Sequence, residues 1–92
     1  MYYTYVLLCT DTKRNKSEFY TGFTKNLEIR IVDHKTKSVE TTKIYDKIEL
    51  VYYEVCFNEK DARIRENQLK TGFGRGYIKR RLVNYLNIKL RG

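Results

Sequence analysis

Tyr20 stands just before Thr21-Gly22, and Arg30 and His34 follow it four residues apart. Residues four apart on a helix share one face. The segment after Gly22 reads as the start of a helix, so a phenol, a guanidinium and an imidazole gather at one strand-to-helix corner. Tyr5, in an earlier apolar run, adds a second phenol, and Glu66 adds a carboxylate. Hydrolysis of a phosphodiester needs such groups: a base, a cation for the charge on phosphorus and a carboxylate for a metal ion. Taken singly each has a blander reading. Tyrosines are commonly core aromatics, and Arg30 with His34 also describes a solvated helix face.

Glu66 is the residue that fits its surroundings least. It shares a helical stripe with Ala62, Leu69 and, if the helix extends that far, Phe73. A carboxylate on an inward face costs several kcal/mol when buried and unpaired. Two arrangements relieve the cost. Glu66 lies at the edge of the stripe and pairs with Arg63 or Lys70, or it holds a divalent ion, since Mg²⁺ takes one or two protein carboxylates plus phosphate oxygens.

The elements that must position these groups follow from the pattern. Residues 2–9 are aromatic and aliphatic on both faces and read as a central strand. Residues 10–18 read as a loop, and residues 18–23 as a second strand in an antiparallel hairpin. Thr24 is an N-cap candidate for a helix over residues 26–37, on which Arg30, His34 and Lys37 form a basic stripe. Residues 38–47 are polar and read as a loop, and residues 48–57 as a third strand. Asn58 caps a helix running to Lys70, with Asp61 three residues on. The glycine-rich stretch 71–76 reads as a turn between helices, with a phosphate cradle as the lesser alternative. Ile78, Leu82, Tyr85 and Leu86 place a last amphipathic helix over residues 77–88. The expected architecture is α+β in the order β-β-α-β-α-α: a small three-stranded antiparallel sheet flanked by three helices. Residues 1–92 are expected to form one domain.

The net charge of +8 is unevenly placed. Residues 65–92 carry eight Lys/Arg against Glu66 alone, a net of +7, while residues 1–64 carry eleven against ten, a net of +1. Such a basic third suits a polyanion, and the nine tyrosines favour nucleic acid over a membrane surface. Lys37, Lys70, Arg75, Lys79, Arg80 and Arg81 are the candidate contacts. No run of about 18 apolar residues is present, so no membrane span is expected, and the N-terminus lacks the basic region of a signal peptide. Cys9 and Cys56 fall in strands and are expected to be reduced thiols of a cytoplasmic protein. One histidine and no Cys-x-x-Cys, taken alone, argue against a metal site.

The chain resembles the GIY-YIG nuclease family, in particular its small stand-alone members, similar to the N-terminal domain of the excision-repair nuclease UvrC. The first motif stands as Tyr3-Thr4-Tyr5-Val6-Leu7, with Tyr3 in place of the glycine, and the second as Tyr20-Thr21-Gly22. Arg30 and His34 follow in a Leu-x-x-Arg-Ile-x-x-x-His context, Glu49-Leu50-Val51-Tyr52 resembles the third strand, and Ala62 to Lys70 resembles the helix with the family's metal-binding glutamate. The family's later asparagine has no counterpart here; Tyr77-Ile78-Lys79 occupies that region, and Arg75 or Lys79 is the candidate substitute. The resemblance implies a metal-dependent DNA endonuclease, with Glu66 holding one Mg²⁺ or Mn²⁺ ion. Tyr5 would be general base with Tyr20 hydrogen-bonded beside it, and Arg30 and His34 would supply positive charge. It implies DNA as partner, branched or damaged DNA and DNA repair included, with specificity left to DNA shape or to a protein partner. The alternative is a domain of this fold that binds nucleic acid without cutting it.

Overall fold

The computed structural model describes residues 1–91 and orders them β-β-α-β-α-α-α. Strands β1 (Tyr2–Asp11), β2 (Lys16–Thr24) and β3 (Lys47–Cys56) form one antiparallel sheet in the order β2-β1-β3. The strand apolar on both faces is the central one, as its composition predicts. Tyr5, Leu7 and Cys9 bury one of its faces under α1 (Leu27–Lys35). Val6 buries the other, with Leu69 of α2 (Glu59–Leu69) and Ile78 of α3 (Gly72–Arg81). An irregularity between Val6 and Leu7 shifts the β1–β3 register. Leu50 therefore packs on the α1 side, while Val51 and Tyr52 both pack on the other.

Local chemistry sets the boundaries. The hairpin is tighter than the polar run 10–18 suggests: the ladder continues to Asp11 and Lys16, and Asn15 takes the left-handed conformation at φ 54°. The N-cap of α1 is Asn26, whose Oδ1 accepts from the Ile29 amide at 3.1 Å. Thr24, the expected cap, instead closes the preceding turn by accepting from the Asn26 amide at 3.1 Å. Asn58 caps α2 as expected, accepting from the amides of Lys60 and Asp61.

The glycine-rich stretch does not stay open. Thr71 caps α3 through the Gly74 amide at 3.1 Å, and the helix begins at Gly72. Phe73 therefore leaves the stripe of α2 and lies 83% exposed. The expected last helix is two helices, α3 and α4 (Val83–Arg91), which meet at Leu82. Tyr85 and Lys89 tether α4 to Glu49 of β3. Both cysteines are free thiols, and burial pushes Cys9 up to about 11, so it stays protonated. No helix among the described residues is long and apolar enough to cross a membrane.

Candidate active site

Tyr5 is fully buried on the central strand, directly opposite Gly22 of β2. Its ring lies across that glycine: a Cβ at position 22 would come within 2.4 Å of Tyr5 Cζ and Oη. No glycine among the described residues has a positive φ, so Gly22 is needed for space and not for backbone freedom. Tyr20, two residues earlier on the same strand, faces the same side. Its ring centroid is 6.3 Å from that of Tyr5 and 5.1 Å from that of His34, edge-on to the imidazole.

Helix α1 lays Arg30 and His34 over this pair. The oxygen of Tyr5 accepts from Arg30 Nε at 3.2 Å and lies 2.8 Å from His34 Nε2. The hydrogen bond expected between the two phenols is absent among the described residues, because the Tyr5 hydroxyl is taken by these two partners. His34 is 0% exposed, and its Nδ1 lies 2.7 Å from Thr42 Oγ1. The basic stripe expected on α1 is thereby divided. His34 turns inward, and Lys37 falls beyond the helix at φ 65° and donates to the Tyr45 carbonyl.

The electrostatics follow from this packing. Burial pushes the Tyr5 phenol up to about 12, with Tyr20 and Glu66 adding to the effect and the Arg30 hydrogen bond and charge opposing it. Burial, and then the charge of Arg30, lower His34 to about 4, so the imidazole is neutral at pH 7. Accepting its hydrogen bond, Tyr5 raises Arg30 further, and the guanidinium stays a cation. The arrangement is a hydroxyl held between a fixed cation and a neutral imidazole that can accept a proton.

Glu66 sits on α2 between buried Ala62 and Leu69, its side chain 16% exposed, and pairs with Lys70 at 3.1 Å. Of the two partners named by the sequence, Lys70 makes the bond. Arg63 instead pairs with Glu59 and lies over the Phe23 ring. Among the described residues no three His, Cys, Asp or Glu side chains gather. The donor set is thus one carboxylate, which fits a hard divalent ion completed by phosphate oxygens and water and does not fit a closed protein cage. Lys70 is half exposed and free to swing away from such an ion.

Of the basic candidates, Lys70 and Arg75 line a cleft of about 220 Å³ with Phe19, Tyr20 and Thr21. Arg75 also borders a larger groove of about 650 Å³ that Lys79 lines. Arg80 and Arg81 are exposed in the last turn of α3. Thr42 is the site residue that sequence reasoning missed. It lies in a polar segment indistinguishable from a solvated loop, and only the path of the chain buries it to 1%.

The model of the GIY-YIG catalytic domain matches residues 1–85. A UPF0213 protein of Staphylococcus haemolyticus is 35% identical over 71 residues, covering 76% of this chain and 80% of that one. Its counterpart in Staphylococcus saprophyticus is 34% identical over the same shares. A UPF0213 protein of Clostridium perfringens is 37% identical over 76% of this chain and 71% of its own. No solved structure matches. The matched domain implies activity of the nuclease type, for which the family typically uses a divalent metal and DNA as substrate. With its Tyr5–Tyr20–Arg30–His34 corner and a domain match over nearly its whole length, the chain belongs to the GIY-YIG family.

Proposed function

We propose that the protein is a metal-dependent DNA endonuclease in which residues 1–92 form one domain, with Tyr5 as general base. The observation that carries this reading is the Tyr5 hydroxyl, bonded on one side to the Arg30 guanidinium and on the other to a buried neutral imidazole. A phenol held near 12 is a poor base at pH 7 if it must first lose its proton to solvent. Here it need not: as its oxygen takes a proton from the attacking water, its own proton passes to His34 Nε2. Arg30 then faces the charge that develops on the phosphate. A phosphate beside Arg30 offsets the guanidinium that depresses His34, so substrate binding itself makes the imidazole a better acceptor.

Glu66 would hold one Mg²⁺ or Mn²⁺ ion, which when bound neutralises charge on the phosphate and leaving oxygen. Lys70 and Arg75, which line a cleft with Tyr20, and Lys79, which lines a groove with Arg75, would take backbone phosphates of the bound DNA.

The test is cleavage of single-stranded, duplex, flap and four-way DNA in Mg²⁺ or Mn²⁺. Wild type is expected to cut at least one of these. Glu66→Gln should lower the rate by about 100-fold or more while circular dichroism and unfolding show the fold intact. A variant that cuts as fast as wild type would remove Glu66 from the metal site. A wild type that binds the panel and cuts none of it would leave a binding module.

A further inference from the structure

We propose that Thr42 is a positioning residue that fixes the tautomer of His34, keeping Nε2 free of hydrogen and aimed at the Tyr5 hydroxyl. Both ring nitrogens face hydroxyls, at 2.7 Å for Nδ1 and 2.8 Å for Nε2. A hydroxyl can donate or accept, so the partners' identities alone leave the tautomer open. The rest of the chain closes it. Tyr5 Oη already accepts from Arg30 Nε, and the phenol is fully buried. Its single proton then has His34 Nε2 as its acceptor, and Nδ1 must carry the ring hydrogen. That hydrogen is donated to Thr42 Oγ1. The chain runs in one direction: Arg30 Nε–H to Tyr5, Tyr5 O–H to Nε2, Nδ1–H to Thr42.

The loop after α1 is built to hold this acceptor still. Val39 is buried, and its carbonyl accepts from the amides of Thr42 and Lys43 at 3.2 and 3.0 Å. Asp46 fastens the end of the loop to the β-hairpin by accepting from the Thr12 amide at 2.8 Å and the Thr12 hydroxyl at 2.6 Å. No buried side-chain polar atom among the described residues is left without a partner. Removing the Thr42 hydroxyl would strand Nδ1–H in the interior. The ring would then favour the other tautomer, which places its hydrogen on Nε2 and leaves the buried Tyr5 proton without its acceptor.

The consequence for the reaction rests on the nuclease reading above. In the hydrolytic step one water O–H bond breaks and that proton goes to Tyr5 Oη. The Tyr5 proton goes to Nε2, the water oxygen bonds phosphorus, and the P–O bond breaks with its electron pair on the leaving oxygen. With hydrogen already on Nε2 the relay has no acceptor. The resulting imidazolium is held by Thr42 through Nδ1–H until it returns its proton to solvent.

His34 is the only histidine, so ¹⁵N NMR of the free protein reads this ring without ambiguity. Wild type should show the Nδ1–H tautomer. Thr42→Val should move the population toward Nε2–H, and Thr42→Ser should restore it. In single-turnover cleavage at saturating DNA, Thr42→Val should lose about 10- to 100-fold, part of the ~10²–10⁴ available to general base catalysis, with DNA affinity unchanged and rate recovered in Thr42→Ser. An Nε2–H tautomer in wild type overturns the proposal, as does a Thr42→Val variant that cuts at the wild-type rate. The spectrum is recorded without DNA. If wild type shows Nδ1–H and cuts nothing, the nuclease reading fails and the positioning role stands.

Discussion

On the α1 face of the sheet the buried polar groups form an open chain, from Arg30 through Tyr5 and His34 to Thr42. On the opposite face Glu54, Arg65 and Tyr52 form a closed knot. Arg65 grips both Glu54 oxygens at 2.9–3.1 Å, Tyr52 donates to the same carboxylate at 2.9 Å, and the guanidinium lies over the Tyr77 ring. Burial alone would raise the Glu54 carboxyl, but the Arg65 and Tyr52 hydrogen bonds and the Arg65 charge overcome it and hold it below the usual carboxylate range. In the knot each charge meets its opposite. In the chain the one cation, Arg30, has no carboxylate partner among the described residues, and the phenol and imidazole are both neutral at pH 7. Under the proposed function this leaves Arg30, beside two neutral partners, open to a phosphate.

Removing one hydroxyl from each face should separate them most sharply. Tyr5→Phe is expected to lower single-turnover cleavage by about 10²–10⁴-fold with DNA affinity little changed. Tyr52→Phe should leave the rate at the wild-type value and cost about 1 kcal/mol of stability, one hydrogen bond's worth. Rates at saturating DNA and urea unfolding of both variants make the measurement. Equal losses of rate would mean that the knot also serves the chemistry.

Much of the sheet and of the α1-side corner was legible in the sequence. The both-sided apolar composition of residues 2–9 marks the central strand. The Tyr20–Arg30–His34 spacing marks the corner, and Glu66 among Ala62 and Leu69 marks the exceptional carboxylate. Four features were not legible, each because it depends on partners distant in sequence. Asn26 displaces Thr24 as cap because Thr24 still pairs with Tyr3 in the sheet. The last helix bends at Leu82 where α4 is tethered to Glu49, thirty-six and forty residues before Tyr85 and Lys89. Thr42 and the Glu54–Arg65 pair are polar residues in polar surroundings until the chain folds over them.

Acid should dismantle the two faces in sequence. His34 has its folded pKa lowered to about 4 from the ordinary value near 6.5. Between these values the unfolded chain binds a proton that the folded one does not, so stability rises with pH across the window. The contribution is fully present above about 6.5 and is lost as pH falls toward 4, on the order of 3 kcal/mol in all. Glu54 is also depressed, so its contribution is complete above the usual carboxylate pKa and is lost only as pH falls below it. Urea unfolding at pH 7, 6, 5 and 4 should show a decline beginning near pH 6.5. His34→Gln should flatten the decline above pH 5 and leave the lower part in place. A decline that survives the substitution would assign it to carboxylates and not to the imidazole.

The smallest effect belongs to the cations that neither face uses. Arg80 and Arg81 are exposed on the last turn of α3, whose buried side is formed by Gly74 and Ile78. Nothing places them beside Tyr5, whereas Lys70 and Arg75 share a cleft with Tyr20. Phosphate binding by such residues releases counterions, is insensitive to sequence and adds affinity without chemistry. Replacing both with alanine should weaken DNA binding and flatten its salt dependence by up to about one unit of log–log slope for each phosphate no longer neutralised. The cleavage rate at saturating DNA should not move. Arg30→Ala should do the opposite, with a large loss of rate and a modest loss of affinity. Binding and single-turnover cleavage at two salt concentrations distinguish the two patterns. A double variant that binds as wild type and does not cut would place chemistry on α3 and end the distinction between a catalytic corner and a basic surface.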